Sequence, residues 1–166
     1  MLMMSISVPP PVLCFARVLA YAIVDESVAF TGKRQVYVEG KPLGRVPCLA
    51  LCQDVAPDED EIMLFHCDEQ WNAVGVSGGE TDLPAAKADA EITYRGIAAK
   101  WVDVSVSSEE ARRWLEQQYP EELCSFCGRL PSEFEAAFGG HKSRICGDCV
   151  RKYFAMLQKD KPDDVA

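Results

Sequence analysis

Two cysteine pairs stand out for their chemistry: Cys124-x2-Cys127 and Cys146-x2-Cys149, with 18 residues between the inner members. A C-x2-C turn places two thiolates on one side of a tight loop. Two such turns together supply the four ligands of a tetrahedral ion. The spacing alone leaves open two disulfides, a redox pair or an iron–sulfur cluster. Structural zinc fits best. A shell of four sulfurs is closed, with no position left for water or substrate, so it serves folding rather than catalysis. Gly128 follows the first pair, where a knuckle needs positive φ. Cys149 opens a segment with apolar residues Val150, Tyr153, Phe154 and Leu157 at helical spacing. A cysteine in the first turn of a helix has its thiolate favoured by the helix dipole.

These flanks carry a resemblance. "CSFCG", the 18-residue insert and "IC-x2-CV" are similar to the N-terminal zinc-binding domain of the ClpX chaperone family, over roughly residues 122–158. Glu133, Gly140, Ile145 and Val150 stand where that family has the same residue types. The resemblance implies that Cys124, Cys127, Cys146 and Cys149 hold Zn2+, and that the module binds proteins and dimerises. The apolar groups Phe126, Phe134, Phe138 and Ile145 would form its partner surface. It does not imply the ATPase. "GGHKS" (139–143) fails as a phosphate loop because His141 separates Gly140 from Lys142. The family's Gly-Pro is Gly140-His141 here, and the module stands at the other end of the chain. "PSEFEAAF" reads locally as one helical turn with a Ser132–Glu135 capping box, where the family is more extended.

The rest of the chain must be read for what accompanies this module. The chain has 166 residues, 48% hydrophobic and 26% charged, which is ordinary globular composition. Residues 1–120 carry a net charge of −8 and residues 121–166 of −1. An acidic chain repels phosphate backbones, so nucleic acid is excluded as an expected partner. The segment 12–24 is apolar but short and interrupted by Arg17, so neither a membrane span nor a secretion signal is expected. With no secretion signal, eight cysteines point to a reducing, cytoplasmic compartment, where paired cysteines bind metal more often than they form disulfides.

Periodicity divides residues 1–120 into elements. Arg17, Tyr21 and Asp25 recur every four residues and predict a helix over 12–26. Strands are expected at 34–39, 45–52 and 62–67, the last continuing as a hairpin to 76 with its turn at Asp68–Gln70. A solvated acidic loop is expected over 53–61. Asp82 caps a helix running to about Tyr94, with Pro84 in its first turn. Val102, Val104 and Val106 alternate as a strand facing inward. Ser107 and Glu110 then cap a helix whose inner stripe is Ala111, Trp114, Leu115 and Gln118, closed by Pro120. The fold expected is α+β: a small, mostly antiparallel sheet with helices on one face over residues 1–120, a four-cysteine zinc module over 121–158, and a disordered tail over 159–166.

No catalytic residue is assigned. His66 and Cys67 are neighbours on a strand and point to opposite faces, with His66 expected to face out. Cys14, Cys48 and Cys52 are expected as small core residues, and Trp71, Trp101 and Trp114 as core aromatics. The function expected is a non-catalytic, adaptor-like protein of a bacterium, regulatory or immunity-type. It would bind proteins through the zinc module and a second ligand through residues 1–120. The alternatives are an enzyme in residues 1–120 with structural zinc, and a nucleic-acid-binding zinc ribbon with Lys142, Arg144, Arg151 and Lys152 as its basic edge.

Overall fold

A computed structural model describes residues 6–56 and 60–159. The described elements, in chain order, are β1 (Val12–Leu13), β2 (Ala16–Ile23), β3 (Ala29–Phe30), β4 (Tyr37–Val38), β5 (Lys41–Pro42), β6 (Cys48–Asp54), β7 (Ile62–Cys67), β8 (Ala73–Glu80), α1 (Leu83–Thr93), β9 (Tyr94–Arg95), β10 (Val102–Asp103), α2 (Ser108–Gln118), β11 (Ala137–Gly140), β12 (Ser143–Cys146) and α3 (Gly147–Lys159). The chain divides into two compact units, Met1–Trp114 and Leu115–Ala166. The division falls within α2, six residues before the expected boundary at residue 120. The acidic loop lies partly outside the described residues. So does the expected tail, apart from Lys159, which ends α3.

The first unit is built on an antiparallel sheet of order β1-β2-β6-β7-β8, with β10 also paired to β2. The fold is α+β, with α1 laid against β6, β7 and β8. Ala20, Ala22, Leu49, Leu51, Ile62 and Leu64 from the sheet meet Ala86 and Ala90 from α1, with Tyr94 and Ile97 beyond it. α1 starts as the sequence predicts. Asp82 caps it by accepting a hydrogen bond from the Ala85 amide at 2.8 Å, and proline stands in its first turn. The expected β7–β8 hairpin is present, but Cys67 pairs with Ala73, so its turn runs over Asp68–Asn72 rather than Asp68–Gln70; Asp68 orders it by accepting from the Gln70 and Asn72 amides.

The helix expected over 12–26 is instead the β1–β2 hairpin. Cys14 and Phe15 both take positive φ, 47° and 62°, as a two-residue hairpin turn requires. Neither residue type signals that conformation. β2 is interior to the sheet, so Ala16, Val18, Ala20 and Ala22 are buried while Arg17 and Tyr21 are half-buried. A doubly covered strand reads as a continuous apolar run, which periodicity cannot tell from a buried helix. Arg17 keeps its charge inside by donating to the Val106 carbonyl at 2.8 Å and to Gln53 Oε1.

Two strands are shorter than expected. Only Tyr37 and Val38 of the 34–39 segment pair, in the small β4–β5 ladder. Over 99–106, Val102 and Val104 are 45% and 43% exposed, and only Val106 is buried. There Ser105 takes φ 46°, and the Val104 and Ser105 amides both donate to the Leu19 carbonyl, which ends the alternation. Ser107 does cap α2, accepting from the Glu110 amide at 3.1 Å, but Gln118 is exposed rather than inward. Trp71 is buried and its indole N–H donates to the Ser7 carbonyl at 2.7 Å. Trp101 packs against the core and Trp114 is half-buried.

Candidate metal centre

The first knuckle of the second unit follows α2, at Cys124. The Cys124 amide donates to the Arg129 carbonyl at 3.0 Å, and the Gly128 amide returns to the Cys124 carbonyl at 2.8 Å. Gly128 has φ 70°, the left-handed conformation that glycine adopts without steric cost. A short 3-10 turn, Pro131–Glu133, follows; Glu133 closes it by accepting from the Leu130 amide at 2.7 Å. The turn read from "PSEFEAAF" is not formed as a Ser132–Glu135 capping box: the 3-10 turn lies earlier, capped at Leu130, and Phe134 after it is extended. The chain then enters the β11–β12 hairpin, in register from Ala137↔Cys146 to Gly140↔Ser143.

That hairpin delivers the second knuckle. Cys146 ends β12, the Gly147 amide donates to the Ala136 carbonyl at 2.8 Å, and Cys149 lies in the first turn of α3. Ser125 ties the knuckles together: its amide donates to the Arg144 carbonyl at 2.7 Å, and its hydroxyl accepts from the Arg144 amide at 3.1 Å. The Cys146 amide points at Cys124 Sγ, 3.3 Å away.

The four sulfurs converge. Cys124 and Cys149 Sγ are 3.9 Å apart, Cys127 and Cys146 Sγ are 3.7 Å apart, and all four lie within 4.8 Å of one another. A tetrahedral ion with metal–sulfur bonds of about 2.3 Å sets its ligands about 3.8 Å apart. The arrangement therefore fits a metal ion. It is the one group of three or more histidine, cysteine or acidic side chains with metal-holding geometry among the described residues. His141 is exposed and outside it.

Electrostatics favour a cation here. Burial, then the three neighbouring sulfurs, push the Cys149 thiol up to about 12. Burial also acts upward on Cys124, but the Cys146, Cys127 and Phe126 amides aimed at its sulfur outweigh it and bring it to about 6. Four thiolates this close repel one another unless a positive ion lies among them. Cys124, Cys146 and Cys149 are buried and Cys127 is exposed.

The four expected partner-surface residues separate into two pairs. Phe134 and Ile145 are partly buried against the sulfur cluster. Phe126 and Phe138 are 56% and 58% exposed. Beside Phe126, with ring centroids 5.5 Å apart, stands Tyr153 of α3. Phe154, Met156 and Leu157 of the same helix are more than half exposed. The sequence shows this apolar stripe, but periodicity reports only that residues share a face, not what covers it.

The first unit holds a second polar constellation that sequence reading misplaces. His66 is buried, not outward. Its Nε2 is 2.9 Å from Ser77 Oγ and its Nδ1 is 3.4 Å from the Tyr94 hydroxyl. Burial lowers His66 to about 4, so the ring is neutral at pH 7. Ser77 lines a cavity of about 500 Å3 with Arg34, Gln35, Gly79, Asp89 and Thr93. Cys48, Cys52 and Cys67 are fully buried, and burial raises all three thiols, Cys48 to about 11 and Cys67 to about 12. Cys14, expected in the core, is exposed in its turn.

Among the described residues, no helix is long and apolar enough to cross a membrane. Comparison with models of known protein families, with curated proteins and with solved structures finds no match.

Proposed function

We propose that residues 121–158 form a zinc-folded protein-binding module, and that the chain acts as a non-catalytic, dimerising, adaptor-like protein. The observation that carries this reading is the pairing of a closed four-sulfur centre with an apolar face of α3 that the described residues leave exposed. A closed shell does no chemistry of its own, which leaves binding as the use of the surface it organises. Exposed apolar groups gathered on a small unit mark an interaction site. Zinc suits four thiolates in tetrahedral array better than harder cations do. Its binding contributes on the order of 10–16 kcal/mol to folding such modules. The spacing and flanks that resemble the ClpX-type zinc domain add self-association and substrate or adaptor binding to this reading.

Two alternatives weaken. For an enzyme, Ser77 and His66 have the separation of a nucleophile and its base, but His66 Nδ1 faces the Tyr94 hydroxyl at 3.4 Å rather than a carboxylate that would orient the ring, and burial makes the ring a weak base. For a nucleic-acid ribbon, Arg144 pairs with Glu122 at 3.0 Å and Arg151 with Asp148 at 2.6 Å, so two of its four basic groups are already neutralised.

Affinity purification from the host with wild type and Cys146→Ala tests the proposal. Cys146 is fully buried in the cluster. The partners of the zinc-folded module should be lost in the variant. An identical partner list from both proteins would remove the module from the binding role.

A further inference from the structure

We propose that the outer edge of β8 receives an extended, basic segment of a partner protein, which adds a strand to the sheet and directs Lys or Arg side chains toward the cavity beside Ser77. The inference concerns the first unit and stands apart from the metal reading above.

β8 is an end strand. Its ladder runs to β7 alone, and among the described residues no other backbone group bonds to it. From Gly75↔His66 to Gly78↔Met63 the pairing is unbroken. In an antiparallel pair, alternate residues turn their N–H and C=O groups away from the neighbour, so this stretch presents unpaired groups at its outer edge. Folded proteins commonly guard such an edge with Lys or Pro, and residues 74–79 contain neither.

The two faces beside the edge differ. Ser77 and Glu80 pair with Leu64 and Ile62, so they stand on the face that α1 covers. Ser77 is held by His66 Nε2 at 2.9 Å, and Ser77 and Glu80 both line the cavity of about 500 Å3. Val76 pairs with Phe65 on the opposite face, where Val74 and Val76 are 37% and 45% exposed.

Charge selects the occupant. The cation lining the cavity, Arg34, is paired with Asp89. Glu80 lines it without an ion-pair partner among the described residues. Glu61 lies close by, since a side chain on Gly79 would come within 2.8 Å of its Oε1. An added strand alternates its side chains as β8 does. Lys or Arg at every second position would therefore reach the acidic cavity, while the apolar residues between them cover Val74 and Val76. Complementary charge at such a rim selects the partner and speeds encounter. A second copy of this chain, at −8 over residues 1–120, lacks that complement.

The test uses the full chain and capped, labelled heptapeptides. One is Lys-Val-Lys-Val-Lys-Val-Lys, and another has Glu for every Lys. Two more carry the basic sequence methylated at the lysine nitrogens or at the valine nitrogens of the backbone. Fluorescence anisotropy gives the affinity, and amide hydrogen exchange gives the place. The basic peptide is expected to bind at micromolar concentration and to slow exchange over β8. Methylating one set of nitrogens should weaken it at least tenfold and methylating the other should not, because a strand meets the edge through alternate residues only. The acidic peptide should bind at least tenfold more weakly. Glu80→Lys should weaken the basic peptide about tenfold, and Cys146→Ala should leave it unchanged. Because Glu80→Lys can disturb the fold, the methylated pair on wild type decides the matter without a variant. Equal binding of the two methylated peptides, protection outside the first unit, or no binding at millimolar peptide would overturn the proposal. So would β8 amides already protected in a free dimer that Val76→Lys splits, which would give the edge to a second copy.

Discussion

At the scale of single residues, His66 shows how a buried polar group on the sheet is paired and what pH signature its burial leaves. Its folded value of about 4 lies below the ordinary 6.5. Between these values the unfolded chain takes up a proton that the folded chain refuses. Its contribution is therefore complete above about pH 6.5 and is lost as pH falls toward 4. A shift of this size corresponds to about 3 kcal/mol. In urea unfolding followed by tryptophan fluorescence, wild type should lose about that much more stability between pH 7 and pH 4 than His66→Gln does. Equal losses in the two proteins would show that His66 does not titrate this way. The sequence does not place this residue, because alternation gives two faces without saying which one α1 covers. The cysteine ligands were legible for the opposite reason: a C-x2-C turn sets its geometry locally, whatever surrounds it.

At the scale of elements, α3 both completes the metal centre and presents the apolar face. Cys149 is buried in its first turn, while Phe154 and Leu157 further along are 60% and 68% exposed. Exposed positions contribute little to folding, so Phe154→Glu and Leu157→Glu should change stability by no more than about 0.5 kcal/mol. The same changes should abolish partner capture and self-association, measured by pull-down and light scattering. Variants that keep both would move the interaction surface off α3. Element boundaries were legible where capping chemistry marks them, as at Asp82 for α1 and Ser107 for α2. They were not legible at Cys14 and Phe15, because two non-glycine residues in left-handed conformation give a hairpin turn no sequence signature. Without that turn the apolar run 12–24 reads as a helix.

At the scale of the whole molecule, the two units draw on different sources of stability. The first has a sheet and helix enclosing an apolar core. The second has a small cluster of buried cysteines with Phe134 and Ile145 packed on it, together with buried Leu115, Leu123 and Leu130, in a piece of the size that usually needs a staple to fold. Removing the metal with a strong chelator should therefore unfold Leu115–Ala166 alone. Amide hydrogen exchange should rise over β11, β12 and α3 and stay slow over β2, β6 and β7. Uniform loss of protection would show a single cooperative molecule, and no loss would show that the sulfurs hold the module without an ion. Metal and association are joined in the second unit, and native mass spectrometry of the full chain reads both at once. Wild type should be a dimer carrying two zinc ions, one for each set of four cysteines, and Cys146→Ala should be a zinc-free monomer. A zinc-free wild-type chain, or a zinc-loaded chain that stays monomeric at micromolar concentration, would contradict it.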